Sequence, residues 1–144
     1  MDQGQLKLDN QLCFSLYRLS KLMVAKYRPI LDEIDLTYPQ YLAMMVIWEN
    51  QNLSVKELGQ KLSLDSGTLT PLLKRLIAKG LVQKKRSKED ERIVLIALTD
   101  EGINLKHRAL EVPAKIACST EMNIDELRKL KTTLDELYMN WKED

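Results

Sequence analysis

Two residue types that build metal sites and disulfide scaffolds are nearly missing from this chain. There is one histidine, His107, and there are two cysteines, Cys13 and Cys118, in 144 residues. One histidine without a nearby cysteine cluster gives no recognisable ligand set, so neither a metal nor another cofactor is expected. The cysteines stand 105 positions apart, with no CxxC spacing and no disulfide framework. In a reducing compartment they should rest as thiols, and any bridge between them would be transient or sensory. No apolar run approaches the length of a membrane span, so no membrane partner is expected. The opening MDQGQLKLDNQ is polar and resembles neither a secretory signal nor a transit peptide, which leaves the cytoplasm as the expected location. There are no internal repeats and no low-complexity segment.

What is present is a soluble globular balance, 44% hydrophobic and 30% charged, sufficient for one domain with a real core. The net charge of +1 conceals a division. Residues 54–99 hold ten Lys/Arg against five acids, a net +5, whereas the remainder holds twelve against sixteen, a net −4. A basic middle between acidic ends suits a nucleic-acid module carried on another scaffold, although a solvated lysine-rich face gives the same count.

Periodicity predicts a mainly α (α+β) fold. Leu12, Leu16, Leu19, Met23, Tyr27, Ile30 and Ile34 recur at helical spacing, predicting one helix over 9–34 that Pro29 bends or divides. Thr37 with Gln40, and Ser54 with Glu57, read as capping boxes that open helices to about Asn50 and Leu62. After LDSG, with Asp65 or Ser66 as cap, a helix spans Thr68 to Lys79 and Gly80 ends it. LVQKKR (81–86) and RIVLIAL (92–98) are β-rich runs around the charged turn SKEDE. A helix from TDEG reaches Cys118, interrupted at Pro113, and Asn123 caps a last helix. In that helix Leu127, Leu130, Leu134, Leu137 and Trp141 follow the seam of a helix pair.

Helix, short turn, helix and hairpin, in that order, describe a winged helix-turn-helix, whose second helix enters the DNA major groove near its own start. The candidate contacts there are Ser66, Gly67, Thr68 and Thr70, with Lys74 and Arg75 one to two turns on, and Arg86 and Lys88 on the ribbon. Leu69, Leu72, Leu73, Leu76 and Ile77 form the inward face. A small α+β core without DNA is the plainer alternative. The hairpin weighs against it. Asp90, Arg92, Leu98, Thr99 and Gly102 stand at the D-x-R…L-T-x-x-G spacing of the wing in the MarR family of bacterial regulators, which this segment resembles. An arginine on a thin ribbon can enter a narrow, negative minor groove, and Asp90 can orient it through a bidentate pair.

The resemblance extends over nearly the whole chain and is closest to the organic-hydroperoxide-sensing, OhrR-type branch, in its two-cysteine subclass. The segments that carry it are LCFSLY around Cys13, LTYPQY around Tyr38, and LDSGTLTPLLKRL. It implies that Cys13 is the redox sensor, that Tyr27 and Tyr38 of the other subunit hydrogen-bond its sulfur, and that Cys118, before STEMN, resolves the oxidised sulfur across subunits. It further implies a homodimer that binds a double-stranded, pseudo-palindromic operator, with organic hydroperoxide as effector. Residues 1–37 and 100–144 would form the helical dimerisation region, and 38–99 the DNA-binding domain. Residue chemistry alone is less decisive. Most helical cysteines are small core residues, and tyrosines at helical spacing are mostly core. Two other readings stand beside this one. A regulator gated by a small aromatic ligand would use Tyr27, Tyr38, Tyr41, Met44 and Trp48 as its pocket. A thiol peroxidase would need a thioredoxin-like βαβ pattern, which is not found, so no enzyme activity is expected.

Overall fold

The computed structural model describes residues 3–120 and 123–142. Two compact units are present, dividing between Val112 and Pro113. In the first unit, short 3-10 turns precede α1 (Leu12–Asp32), and α2 (Tyr38–Glu49), β1 (Leu53–Ser54), α3 (Val55–Leu62) and α4 (Ser66–Ala78) follow. Then come β2 (Val82–Arg86), β3 (Val94–Leu98) and α5 (Asp100–Ala109). The short α6 (Val112–Ala117) and the long α7 (Ile124–Lys142) complete the chain. No helix among the described residues is long and apolar enough to cross a membrane.

Local chemistry sets the helix ends. Thr37 and Ser54 each close a reciprocal box with the residue three positions on, Gln40 and Glu57, so two orphan N–H groups are met at each start. Asp65 caps α4, and Gly80, at φ 70°, carries the left-handed turn that leads from α4 into β2. Asn123 and Glu126 cap α7 by the same reciprocal bonds, at 2.9 and 3.0 Å.

Three sequence expectations are corrected. The first helix starts at Leu12 rather than residue 9, and it runs unbroken through Pro29. The proline removes one backbone bond, but Leu31 just beyond it is buried and holds the last turn against the core. The helix expected to reach Cys118 ends at Ala109, and a new one starts at Val112. Pro113 then lies in the first turn of α6, where a missing N–H costs no helical bond. The strand β1 has only two residues, too few for a periodic signal, yet it makes the sheet three-stranded in the order β1-β3-β2.

The core gathers Ile34, Leu36, Tyr41, Met44, Ile47 and Trp48 with Leu58, the inner face of α4, and Val82 and Ile96 of the sheet. One junction ties the ribbon to this core. The Trp48 indole N–H donates to the Gly102 carbonyl at 2.8 Å within the core. The Leu81 carbonyl accepts the Thr99 N–H at 3.2 Å, and a Cβ on Gly102 would stand 2.1 Å from the same oxygen. The glycine of the L-T-x-x-G spacing is thus a close-approach residue. Gly102→Ala should destabilise the fold by about 1–3 kcal/mol through this overlap. A reduced midpoint in urea melts of the full chain checks it, and an unchanged midpoint counts against the overlap.

Candidate nucleic-acid interface and cysteine sites

The start of α4 is built around Asp65. Its carboxylate accepts the Thr68 N–H at 2.8 Å and the Thr68 hydroxyl at 3.4 Å. The backbone bond to Thr68, followed by its hydroxyl bond, holds the Asp65 carboxyl below the usual aspartate range. The carboxylate therefore takes up the Thr68 N–H at the helix N-terminus. Ser66, Gly67, Thr68 and Thr70 are all exposed around it. Lys74 and Arg75 extend this polar face, while Leu69, Leu72, Leu73 and Leu76 are buried on the opposite side. The spacing of 3 and 4 between these leucines leaves the hydroxyl and basic residues outward by geometry.

The ribbon projects from β2 and β3, which pair antiparallel from Val82↔Leu98 to Arg86↔Val94. Arg86 donates to the Glu91 carbonyl at 2.9 Å and so braces the turn. Ser87, which sequence reading passes over, accepts the Glu89 and Asp90 N–H groups at 3.2 and 3.4 Å. The signal for it is a serine two and three residues before the acids it caps. Lys88 is exposed beside this turn. Arg92 is at the ribbon tip with its side chain 94% exposed. The expected bidentate pair is not formed. The Arg92 Nε lies 3.6 Å from one oxygen of Asp90, and that oxygen also accepts the Arg92 backbone N–H at 3.0 Å. Asp90 is spent on shaping the turn, which leaves the guanidinium fork open to an external acceptor.

Cys13 is the second residue of α1, exposed, one residue into a helix whose Gln11 makes no side-chain cap. Its place in the first turn sets the sulfur near the positive end of the helix dipole. Tyr27 and Tyr38 are brought together, their ring centroids 4.8 Å apart, and Tyr41 stands 6.1 Å from Tyr27. Burial, then the neighbouring Tyr38, raises the Tyr27 phenol above its ordinary value, and burial, then Tyr27 and Tyr38, raises Tyr41. Such phenols keep their protons at neutral pH and remain donors. Cys118 follows the end of α6, exposed, with its N–H bonded to the Ala114 carbonyl at 3.0 Å. Glu121 and Met122 lie outside the described residues.

The pocket expected for an aromatic ligand is mostly core. Tyr41, Met44 and Trp48 are 4%, 0% and 9% exposed and belong to the central cluster. A cavity of about 650 Å³ does lie between α1 and the start of α2, lined by Lys21, Val24, Arg28, Leu36 and Tyr38.

Known proteins resemble this chain in sequence and in fold. The family described as Transcriptional regulator SarA/Rot matches residues 25–109. The organic hydroperoxide resistance transcriptional regulator of Bacillus subtilis (strain 168) is 50% identical over 129 residues, which cover 90% of this chain and 88% of that one. Reduced AbfR bound to DNA, a protein of Staphylococcus epidermidis, superposes with a TM-score of 0.84 at 36% identity, over 99% of this chain and 98% of that one. The disulfide-formed state of AbfR gives 0.65 at 36% identity, over 99% and 95%.

The cap on α4 makes a pH prediction. A lowered carboxyl pKa contributes stability that is fully present above the unfolded value and is lost as pH falls through the folded one. Thermal melts should therefore show an Asp65-dependent loss below about pH 4. Asp65→Asn, which keeps the cap oxygen, should flatten that part of the profile. An unchanged acid limb in the variant would remove the cap from the argument.

Proposed function

The chain belongs to the SarA/Rot family of transcriptional regulators, MarR-like winged-helix proteins, and we propose that it is a homodimeric repressor that releases its operator when organic hydroperoxide oxidises Cys13. One observation carries the reading: an exposed cysteine in the first turn of α1, in a chain half identical to a regulator named for organic hydroperoxide resistance. Family and relatives are regulators rather than enzymes. A sensor needs one oxidation per site, not turnover.

The chemistry proceeds in two steps. The Cys13 thiolate attacks the terminal oxygen of the hydroperoxide. The O–O bond breaks, the sulfur becomes a sulfenic acid, and the alkoxide leaves and is protonated to an alcohol. The Cys118 thiol of the partner subunit then attacks that sulfur, expelling water and forming an S–S bond. The raised phenol of Tyr27, paired with Tyr38, is a protonated donor suited to hold the partner's thiolate before attack. Dimerisation draws support from the exposed apolar residues of α1, among them Leu12, Tyr17, Leu22 and Met23, and separately from Ile124, Met139 and Trp141 of α7. The AbfR structures, reduced on DNA and disulfide-formed, lend support to the two-cysteine scheme.

On DNA, α4 would present Ser66, Thr68 and Thr70 to the major groove, with Lys74 and Arg75 beside them and Arg92 in the adjacent minor groove. Two half-sites read by a dimer demand a fixed spacing near one helical turn. A modest rotation of the winged domains therefore costs most of the affinity. A second reading is favoured by the cavity beside Tyr38, whose Lys21 and Arg28 suit a small aromatic acid. Such a ligand would release DNA without oxidant and with both cysteines replaced.

Three variants test this reading. Cys13→Ser should bind DNA as the wild type does and stay bound after stoichiometric organic hydroperoxide. Cys118→Ser should still form the sulfenic acid but no covalent dimer on a non-reducing gel, and should accumulate sulfinic acid at high peroxide. Peroxide-driven release that persists in Cys13→Ser would sink the sensor assignment. Arg92→Ala should weaken operator binding by about 1–3 kcal/mol and lower its salt dependence. Its thermal stability should be unaltered because the tip is solvent-exposed. Equal affinity in a salt titration would take the wing out of the mechanism.

A further inference from the structure

Tyr41 is a buried phenol to which the scheme above gives no task. Its side chain belongs to the central core and is 4% exposed. Tyr27 and Tyr38 pack against that core and are half-buried. The three rings form one cluster. Tyr38 and Tyr41 stand three positions apart at the start of α2, so both face the same side. The capping box of Thr37 and Gln40 fixes that turn, and the Tyr41 N–H donates to the Thr37 carbonyl at 2.9 Å. Tyr27 comes from α1, its ring centroid 4.8 Å from that of Tyr38 and 6.1 Å from that of Tyr41. Both distances are those of direct aromatic contact, and the ring planes are tilted by 48° and 39°.

Resting on the proposal that Tyr27 donates to the sulfur of the partner's Cys13, we infer that Tyr41 is a positioning residue. Its buried ring holds the Tyr27 ring at the angle from which that phenol reaches the sulfur. A tyrosine has two side-chain torsions, and a change of rotamer swings its hydroxyl far from its first position. Tyr38 is a poor restraint by itself, because it is half-buried and has its own hydroxyl to present. Tyr41 is a firm one, because it is fixed in the core that it shares with Leu31, Leu36 and Met44. A hydrogen bond weakens steeply as its angle closes. A loosened Tyr27 would therefore stabilise the thiolate less, and the thiolate is the form that attacks peroxide. Tyr41 keeps its own proton, since burial, then Tyr27 and Tyr38, raises its phenol above the ordinary value. Its part is thus ring contact and not ionisation.

The test follows Cys13 in the reduced full-length protein. Alkylation by iodoacetamide, read on the Cys13 peptide by mass spectrometry across pH, gives the midpoint of thiolate formation. Oxidation by cumene hydroperoxide is timed in parallel. Tyr41→Met fills the site with a flexible chain and removes the planar ring. It should raise the midpoint by about one unit, which below the midpoint cuts the thiolate and the oxidation rate about tenfold. Tyr41→Phe, which keeps the ring, should restore both. Tyr41→Leu takes the place of Tyr41→Met if that variant does not fold. Affinity of the reduced proteins for a duplex enriched from a random-sequence library should match the wild type's. In a Tyr27→Phe background, Tyr41→Met should move the midpoint no further, an outcome that general loosening of the core would not give. A Tyr41→Met midpoint equal to the wild type's overturns the inference, and so does a Phe variant as impaired as the Met one. DNA affinity lost in step with the midpoint also overturns it, in favour of a purely structural role. In each of these cases the sensor assignment stands as long as wild-type Cys13 is oxidised by the hydroperoxide. Wild-type Cys13 inert to hydroperoxide removes that assignment, and the Tyr41 role with it.

Discussion

The Leu81 carbonyl is the point on which the geometry of the helix-turn-helix and its ribbon depends. It accepts the Thr99 N–H, and Gly102 approaches it so closely that no side chain fits between. The residue holding it, Leu81, also closes the end of α4 through its own N–H on the Leu76 carbonyl at 3.1 Å. Trp48 anchors the far side of Gly102 from within α2. One small region thus fixes where α4 ends, where the ribbon starts and where α5 leaves. The angle between recognition helix and wing is set there, far from the residues that would touch DNA. Burial keeps water from competing for these bonds, so the geometry is rigid.

A second constraint ties α1 to the same body. Lys79, the residue after α4, pairs with the Asp35 carboxylate at 2.8 Å, and Arg108 of α5 donates to the Glu33 carbonyl. The turn that ends α1 therefore meets the ends of α4 and α5. An exposed pair of this kind contributes little to stability. Its value is positional, since it adds polar contacts to the burial of Leu31, Ile34 and Leu36 at the same place. Helix α1 thus has one end sunk in the core and the other, with Cys13, exposed together with much of its apolar surface. In a dimer that covers that surface, a covalent change at Cys13 would act on a lever whose fulcrum touches the recognition helix.

Much of this was legible in the sequence where the chemistry is local. The capping boxes at Thr37 and Ser54, the turn at Gly80 and the paired β runs depend on neighbours within a few residues, and the structure contains each of them. What was not legible depends on distance in the chain. Strand β1 exists because Leu53 finds Ile96, 43 positions away, and two residues cannot announce a strand by periodicity. The Asp90–Arg92 pair failed as a bidentate fork because the turn's own backbone claims the carboxylate first, a competition that residue spacing does not reveal. Likewise Met44 and Trp48 can line a pocket or fill a core with the same periodicity. Only the three-dimensional burial separates the two.

The charge distribution follows the same division of labour. Contacts with phosphate supply affinity that is long-ranged and indifferent to sequence, while groove contacts supply discrimination. This chain carries its net positive charge in the 54–99 segment and leaves the remainder net acidic. If the 54–99 segment is the part that meets DNA, this distribution favours attraction there, and the net acidic flanks disfavour other poses on the duplex. It also follows that release does not require the loss of every contact. Groove contacts tolerate little displacement, whereas a flexible lysine can follow a phosphate over a longer reach. A small change in the spacing of two winged domains would therefore abolish sequence reading first and leave a weak, salt-sensitive attraction. For a repressor, that is enough to vacate one site among a genome's many competitors.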